Sequence, residues 1–287
     1  MKKHVKGFTL IEIVVTTAIF GILAASLVPL SIQEFQARRE RATLTEMKQI
    51  YRAIVGEPAR LNFGYAGDMG KLPDTLTDLN TQGIRPSYTT STTNGIGMGW
   101  RGPYINVGRE LGSYLKDAWG NNYRYGFVGD PGNDNTWGTA DDVQGLDNGG
   151  INTGIIQSAG PDGVFASTSA VRNGTADDII YPSRKVDING DFQATVWFKR
   201  GVQDWLIDPI PDAEAGTTIT VQVFYPNNGI ETSLSDTNGP PYAFTDIPAG
   251  PRAFSVSFLD EDGNTHGSTV NETSIANDTT FVDIYLN

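Results

Sequence analysis

The sequence predicts an α+β chain: a long N-terminal helix packed on a small antiparallel sheet with acid-rich loops, followed by an all-β sandwich. Three observations predict it. An apolar run near the N-terminus passes directly into an amphipathic helical pattern. The middle of the chain is rich in Gly, Asn and Asp turns around a few short alternating segments. The last hundred residues are short alternating segments at regular spacing, separated by turn signals. The boundaries this implies are a leader at 1–7, a helix at 8–56, a mixed globular domain at 57–185 and a β-module at 186–287.

The bulk composition narrows the function classes. With 287 residues, 39% apolar and 19% charged, the chain is globular in composition and long enough for two domains or one domain plus an anchor. The formal charge of −12 disfavours nucleic acid and anionic membrane surfaces as partners. There are no cysteines, which excludes disulfides, thiolate metal sites and thiol nucleophiles. The two histidines, His4 and His266, are too few for an ordinary zinc hydrolase or Ser-His-Asp site.

Residues 1–7, MKKHVKG, carry Lys2, Lys3 and Lys6. Residues 8–30 are mostly apolar and carry a single charge, Glu12. About 20 such residues span a bilayer as a helix, with the preceding lysines on the cytoplasmic side. A cleaved secretory signal or a plain anchor would both fit the apolarity, yet neither accounts for Glu12. An ionised group at that depth costs at least ~2.5 kcal/mol, so it calls for a partner.

Residues Gly7 to Glu12, GFTLIE, resemble the processing signature of the type IV pilins and of the pseudopilins of type II secretion. The resemblance implies that a membrane prepilin peptidase cuts after Gly7 and N-methylates Phe8. It implies further that Glu12 neutralises the terminal amine of a neighbouring subunit, since two buried charges are tolerable as a pair and intolerable alone. Loss of the three leader lysines would take the formal charge from −12 to −15.

From Ser31 the pattern becomes amphipathic, with Leu44, Met47, Ile50, Tyr51, Ile54 and Val55 on one face and Gly56-Glu57-Pro58 as the stop. Unbroken, residues 8–55 would measure about 70 Å. Pro29 removes a backbone donor and should disturb the helix, and Gly21 weakens the same region. The resemblance implies melting of Gly21 to Pro29 in a packed filament; a simple kink is the plainer reading.

Residues 57–115 read as a loop-dominated connection. Within and after it, Trp100-Arg101-Gly102-Pro103-Tyr104 and Asp117-Ala118-Trp119-Gly120-Asn121-Asn122-Tyr123 resemble two sequence blocks of the major pseudopilins. By chemistry alone these aromatics pack a sheet onto the helix. Tyr123 to Val128 and Ile155 to Ser158 alternate like strands.

An internal duplication follows. Gly138-Thr139-Ala140-Asp141-Asp142-Val143 recurs as Gly174-Thr175-Ala176-Asp177-Asp178-Ile179, each copy preceded by an acidic turn that holds Asp130 and Asp134 or Asp162. Clustered carboxylates and Gly-rich carbonyls are the donors calcium takes. The second copy resembles the calcium loop of the major pseudopilins, which implies Asp162, Asp177 and Asp178 as ligands. The first copy offers Asp130, Asp134, Asp141 and Asp142 for a second site. Asx turns and solvated hairpin tips remain the alternative for both. Asp187-Ile188-Asn189-Gly190-Asp191 begins like an EF-hand loop, but Phe192 and Phe198 stand where its Gly and Glu belong, so it reads as a turn into a strand.

The C-terminal segments, Asp191 to Lys199, Thr217 to Tyr225, Tyr242 to Thr245, Arg252 to Leu259 and Thr280 to Leu286, predict the sandwich. Residues 242–258 resemble a prealbumin-like or carboxypeptidase-regulatory-like β-module, and the major pseudopilins lack such an extension. The function expected is therefore structural: a subunit held in the inner membrane as a single-pass precursor. It is then handled by the prepilin peptidase and an assembly platform, and stacked with copies of itself in a helical filament in the periplasm or at the cell surface. The runner-up is a minor or tip pilin that binds through the C-terminal module. An enzyme is not expected.

Overall fold

The computed structural model describes residues 9–105, 113–167, 170–171, 175–200, 204–207, 218–259 and 265–286. The molecule is α+β, with one dominant helix followed by two β-rich units.

Helix α1 spans Leu10–Val55. It starts on a capping box, in which the Thr9 hydroxyl accepts from the Glu12 N–H and the Glu12 carboxylate accepts from the Thr9 N–H at 2.8 Å. It ends at Gly56, whose φ of 77° and close approach to the Asn62 carbonyl admit only glycine. The helix runs through Gly21 and Pro29 without a break in the single chain. One proline deletes a single donor, and the bonds on either side hold the turn. A Cβ on Gly21 would meet nothing within 4 Å, so no packing in the single chain requires that glycine.

Of the described side chains in the lower part of α1 all are exposed except half-buried Ala37, and burial begins at Thr43. Met47, Ile50, Ala53 and Ile54 then face a core. That core includes Tyr65 and Met69 of α2 (Gly64–Met69), Leu76, Leu79, Tyr114, Tyr125 and Ile156. The segment expected to be a loop-dominated connection thus contributes a short helix, α2, whose six residues are all buried. It also contains the two-residue strands β1 (Thr89–Thr90) and β2 (Gly97–Met98). The sheet against α1 is antiparallel, with β3 (Arg124–Tyr125), β4 (Ile156–Ser158) and β5 (Ile179–Tyr181) in that order. Tyr181 of β5 meets Tyr51 of α1 edge-on at 5.4 Å.

The C-terminal unit is a sandwich. Its first sheet holds β6 (Asn189–Arg200), β7 (Asp204–Ile207), β10 (Tyr242–Pro248) and β13 (Thr279–Leu286), with β6 central and β13 parallel to it. Its second sheet runs β12 (Thr265–Ser274), β11 (Gly250–Leu259), β8 (Thr220–Asn227), β9 (Ile230–Asp236). Alternate residues from both sheets fill the gap: Phe192, Ala194 and Val196 from β6 meet Val221 and Val223 from β8 and Phe254 and Val256 from β11. The β8–β9 turn has φ of 55° at Asn228 and 77° at Gly229, the pair of positive angles a two-residue hairpin of this twist requires. As the sequence suggested, Asp187 caps a turn, accepting from the Asn189 N–H at 2.9 Å as β6 begins.

The two β-rich units are docked. Gly229 N–H donates to the Met69 carbonyl at 2.8 Å, and Asn94 Nδ2 donates to Glu231 at 2.9 Å. Ile96 and Met98 share an apolar cluster with Ala253 and Phe224.

Candidate functional site

Two regions were singled out by the sequence, the start of α1 and the acidic loops. Gly7 and Phe8 lie outside the described residues. Thr9 and Glu12 do not, and they reveal a role that the membrane argument missed: Glu12 Oε2 accepts from both the Thr9 N–H (2.8 Å) and the Thr9 hydroxyl (2.9 Å). The signal was in the sequence, because Thr9 and Glu12 stand at the T-x-x-E spacing of a capping box. An acid at this position therefore has an intrachain function as well as any intersubunit one.

Beyond it, Leu10, Ile11, Ile13, Val14, Ile19, Phe20 and Ile22 are at least half exposed. A continuous apolar surface of this kind marks a face that another body covers. Among the described residues no helix is long and apolar enough to cross a membrane. The apolar run 8–30 is only partly within that description, since Phe8 and the side chains of Ala24 and 26–30 lie outside it.

The two aromatic blocks anchor the head on α1. Trp100 Nε1 donates to the Asp78 carbonyl at 2.8 Å, and Tyr104 donates to Asp68 at 3.0 Å while its ring meets Trp100 edge-on. Asp117 closes an Asx turn, accepting from the N–H groups of Trp119 and Asn121, and takes the Ser158 hydroxyl at 2.6 Å. The Ala118 N–H donates to the Thr43 hydroxyl of α1, and the Tyr123 hydroxyl to Glu46 at 2.9 Å. Burial lifts the Glu46 carboxyl above its ordinary value. The packing role is thus the one the geometry displays.

The same network reaches the second acidic loop, where Asn121 Nδ2 donates to the Gly160 carbonyl at 2.9 Å. Asp162 is exposed and accepts from the Val164 N–H. Asp178 is turned inward, and its carboxylate takes Gln157 Nε2 at 2.8 Å and the Ala166 N–H at 3.2 Å. Burial first, and then the charges of Asp177 and Asp162, hold its carboxyl above the usual range. Asp177 lies beside Gly160, where a Cβ would come within 2.6 Å of the Asp177 carbonyl. The loop thus brings Asp162, Asp177 and Asp178 into one neighbourhood, with Asp178 already engaged inside the protein.

In the first loop Asp130 is buried and accepts from the Lys185 N–H at 2.7 Å, while its backbone pairs with Val143 to close the hairpin. Asp134, Asp141 and Asp142 surround the hydroxyl of Thr139 at 3.4, 2.8 and 3.3 Å. Asp141 also accepts from the Asn133 N–H and Asp142 from the Gly138 N–H, both at 2.6 Å. Among the described residues no group of three or more Asp, Glu or His side chains is arranged to hold a metal ion. A calcium ion here would depend on loop carbonyls for most of its ligands.

Comparison with known proteins agrees with the N-terminal reading. Residues 2–28 match the prokaryotic N-terminal methylation motif. The chain is 31% identical over 135 residues to the type II secretion system core protein G of Vibrio cholerae serotype O1, covering 79% of that protein and 46% of this chain. It is 32% identical over 124 residues to the core protein G of Pseudomonas aeruginosa, covering 75% of that protein and 43% of this chain. More than half of this chain therefore has no counterpart in either alignment. A methylation motif at the N-terminus, an aromatic-anchored head on a long helix, and this coverage together mean that the chain belongs to the pilin and pseudopilin family of the type II secretion core protein G.

Proposed function

We propose that this chain is a structural subunit, not an enzyme, that is cut after Gly7, methylated on Phe8 and stacked with copies of itself into a helical filament. The single observation that carries the reading is α1. It is a helix of 46 residues whose C-terminal part holds the head while its apolar N-terminal part stands uncovered. Such a face is satisfied first by the membrane that holds the precursor and then by the helices of neighbouring copies, a contact that propagates because it does not close. The prepilin peptidase and an inner-membrane assembly platform are the partners this sequence of events requires, and the filament would extend into the periplasm or beyond the cell.

Within that filament Glu12 would exchange part of its capping role for the terminal amine of a neighbour, and Gly21 and Pro29 would mark the stretch of α1 that loosens on packing. Calcium is proposed at the second acidic loop, with Asp162 and Asp177 as the side-chain ligands. Asp178 would serve there as an internal brace for Gln157 and Ala166. The first loop, through Asp134, Asp141 and Asp142, is a candidate for a further ion.

The test is assembly in a cell that supplies a prepilin peptidase and a secretion platform, scored by electron microscopy of sheared fibres. Glu12→Gln keeps an acceptor for the Thr9 N–H and so keeps the cap, whereas Glu12→Ala loses both cap and charge. Loss of filaments in both variants supports the charge pairing. Filaments from Glu12→Gln at the unsubstituted level would leave Glu12 as a cap and nothing more.

A further inference from the structure

We propose that Arg38, Arg39 and Arg41 form a docking belt on α1 for the acidic head of a second copy of this chain. The proposal rests on the filament reading and deepens it. The charges of the chain are segregated. Residues 31–55 carry five basic and three acidic side chains, whereas residues 56–287 carry thirteen basic and twenty-nine acidic ones. Heads this acidic repel one another when stacked side by side, with a screening length of about 8 Å in physiological salt.

The belt lies where its own head cannot use it. The first α1 residue buried by the head is Thr43, and all three arginines precede it and are exposed. Arg38 pairs with Glu34 within the helix at 2.9 Å, while neither Arg39 nor Arg41 forms a salt bridge among the described residues. All three fall within about 8 Å of Thr43 along the axis, at ~1.5 Å per residue. A body that covers the exposed side chains of Ile32 (52%) and Phe35 (64%) also reaches this level, because Phe35 stands one turn below the arginines.

Arginine is suited to the role. Its planar fork binds carboxylates bidentately and keeps its charge in a partly dehydrated contact, which lysine does less well. A neighbour's head offers a surplus of carboxylates, whereas a neighbour's stem offers few. Anionic lipid headgroups are the competing occupant, and the experiment must separate the two.

A photo-crosslinking residue at Ala42, beside the belt and exposed, is activated in sheared filaments and the products are mapped by mass spectrometry. In parallel, filament yield is compared for the unsubstituted chain, Arg39→Lys with Arg41→Lys, and Arg39→Glu with Arg41→Glu. The expected result is crosslinks into residues 56–287 of a second copy, a yield for the lysine variant between those of the unsubstituted chain and the glutamate variant, and about a tenfold loss for the glutamate variant that high salt moderates. The proposal is overturned if the crosslinks are confined to lipid or to the α1 of another copy. It is also overturned if the glutamate variant assembles at the unsubstituted level. Absence of filaments from the unsubstituted chain would overturn the filament reading itself, and the belt with it, so the two failures are distinguishable.

Discussion

Among the described residues Arg252 is the largest side chain that is fully buried, and its loss should loosen the junction between the two β-rich units. It follows the β10–β11 turn. Its Nε donates to the Pro248 carbonyl at 2.8 Å, and its η nitrogens donate to the carbonyls of Pro251 at 2.7 Å, Ala249 at 2.8 Å and Gly67 at 3.5 Å. Three of these acceptors belong to the hairpin and the fourth to α2, so one guanidinium binds the sandwich to the helix beneath it. Burial pushes its pKa down to about 9, against the pull of the Asp68 carboxylate. Asp68 itself is paired to Arg101 at 3.0 Å and is lifted by burial.

Arg252→Ala removes three short hydrogen bonds and strands three carbonyls in a dry pocket, at about 1 kcal/mol or more each. The release of a desolvated cation offsets part of that. A net loss of about 3 kcal/mol follows, or roughly 10 °C in melting temperature for a head of this size. Arg252→Lys should recover only part of it, because an ammonium cannot span the same acceptors. The assay is thermal unfolding of the full chain in detergent, with hydrogen exchange followed at Gly67, Ala249 and Gly229. The expected outcome is a lower first transition and faster exchange at Gly229, whose N–H bridges to Met69. A loss below about 1 kcal/mol with unchanged exchange would mean that water replaces the guanidinium, and would refute the reasoning.

Four further outcomes are expected. Ile54→Ala, at a site with no exposed surface between α1 and the head, should cost about 3 kcal/mol by denaturant titration through loss of packing and the cavity left behind. Gly229→Ala should destabilise by at least about 1 kcal/mol, because its φ is +77° and a Cβ there would press within 2.9 Å of Met69. Chelation of calcium should lower the melting temperature by several degrees, and Asp162→Ala should abolish the difference. The Asp178 carboxyl is raised in the folded state, so its own contribution to stability is present at low pH and is lost as pH rises through that raised value. Calcium at the proposed site would reverse the preference, so the gain from calcium should shrink on acidification, which melting curves with and without chelator at several pH values would detect.

The parts of the fold legible in the sequence were those written in local pattern. The stop at Gly56, the apolar face of Met47, Ile50 and Ile54, and the strands from Asp191, Tyr242, Arg252 and Thr280 all follow from periodicity and turn chemistry. What escaped was fixed by distant partners. β5, with only three residues Ile179–Tyr181, is a strand because β4 lies beside it. β9 and β12 are polar edge strands with mostly exposed side chains, and no apolar alternation announces them. α2 was hidden by its composition, GYAGDM, in which two glycines argue against a helix. They are there because side chains would not fit: a Cβ on Gly67 would strike Phe63 and sit 3.3 Å from the Ala249 carbonyl of the sandwich. The acidic loops were legible as loops, but the inward turn of Asp178 toward Gln157 was not, since nothing local distinguishes it from Asp177.

The docking of the sandwich bears on what the extra module does for a filament subunit. A binding module that searches for a ligand is best carried on a tether, where few contacts cross the boundary. Here the boundary is crossed by the Gly229–Met69 and Asn94–Glu231 hydrogen bonds, by the Arg252 guanidinium, and by the cluster of Ile96 and Met98 with Ala253 and Phe224. Gly70 tightens it further, because a Cβ there would overlap the Pro226 carbonyl. Force applied to the sandwich is therefore passed through α2, whose Tyr65 and Met69 lie in the core built on Ile50 and Ile54 of α1. In the proposed filament a head joined in this way would thicken the shell around the stem and would place its excess of carboxylates at a fixed height above the arginines of α1. That fixed offset is what a repeating contact between copies needs, and a tethered module could not provide it.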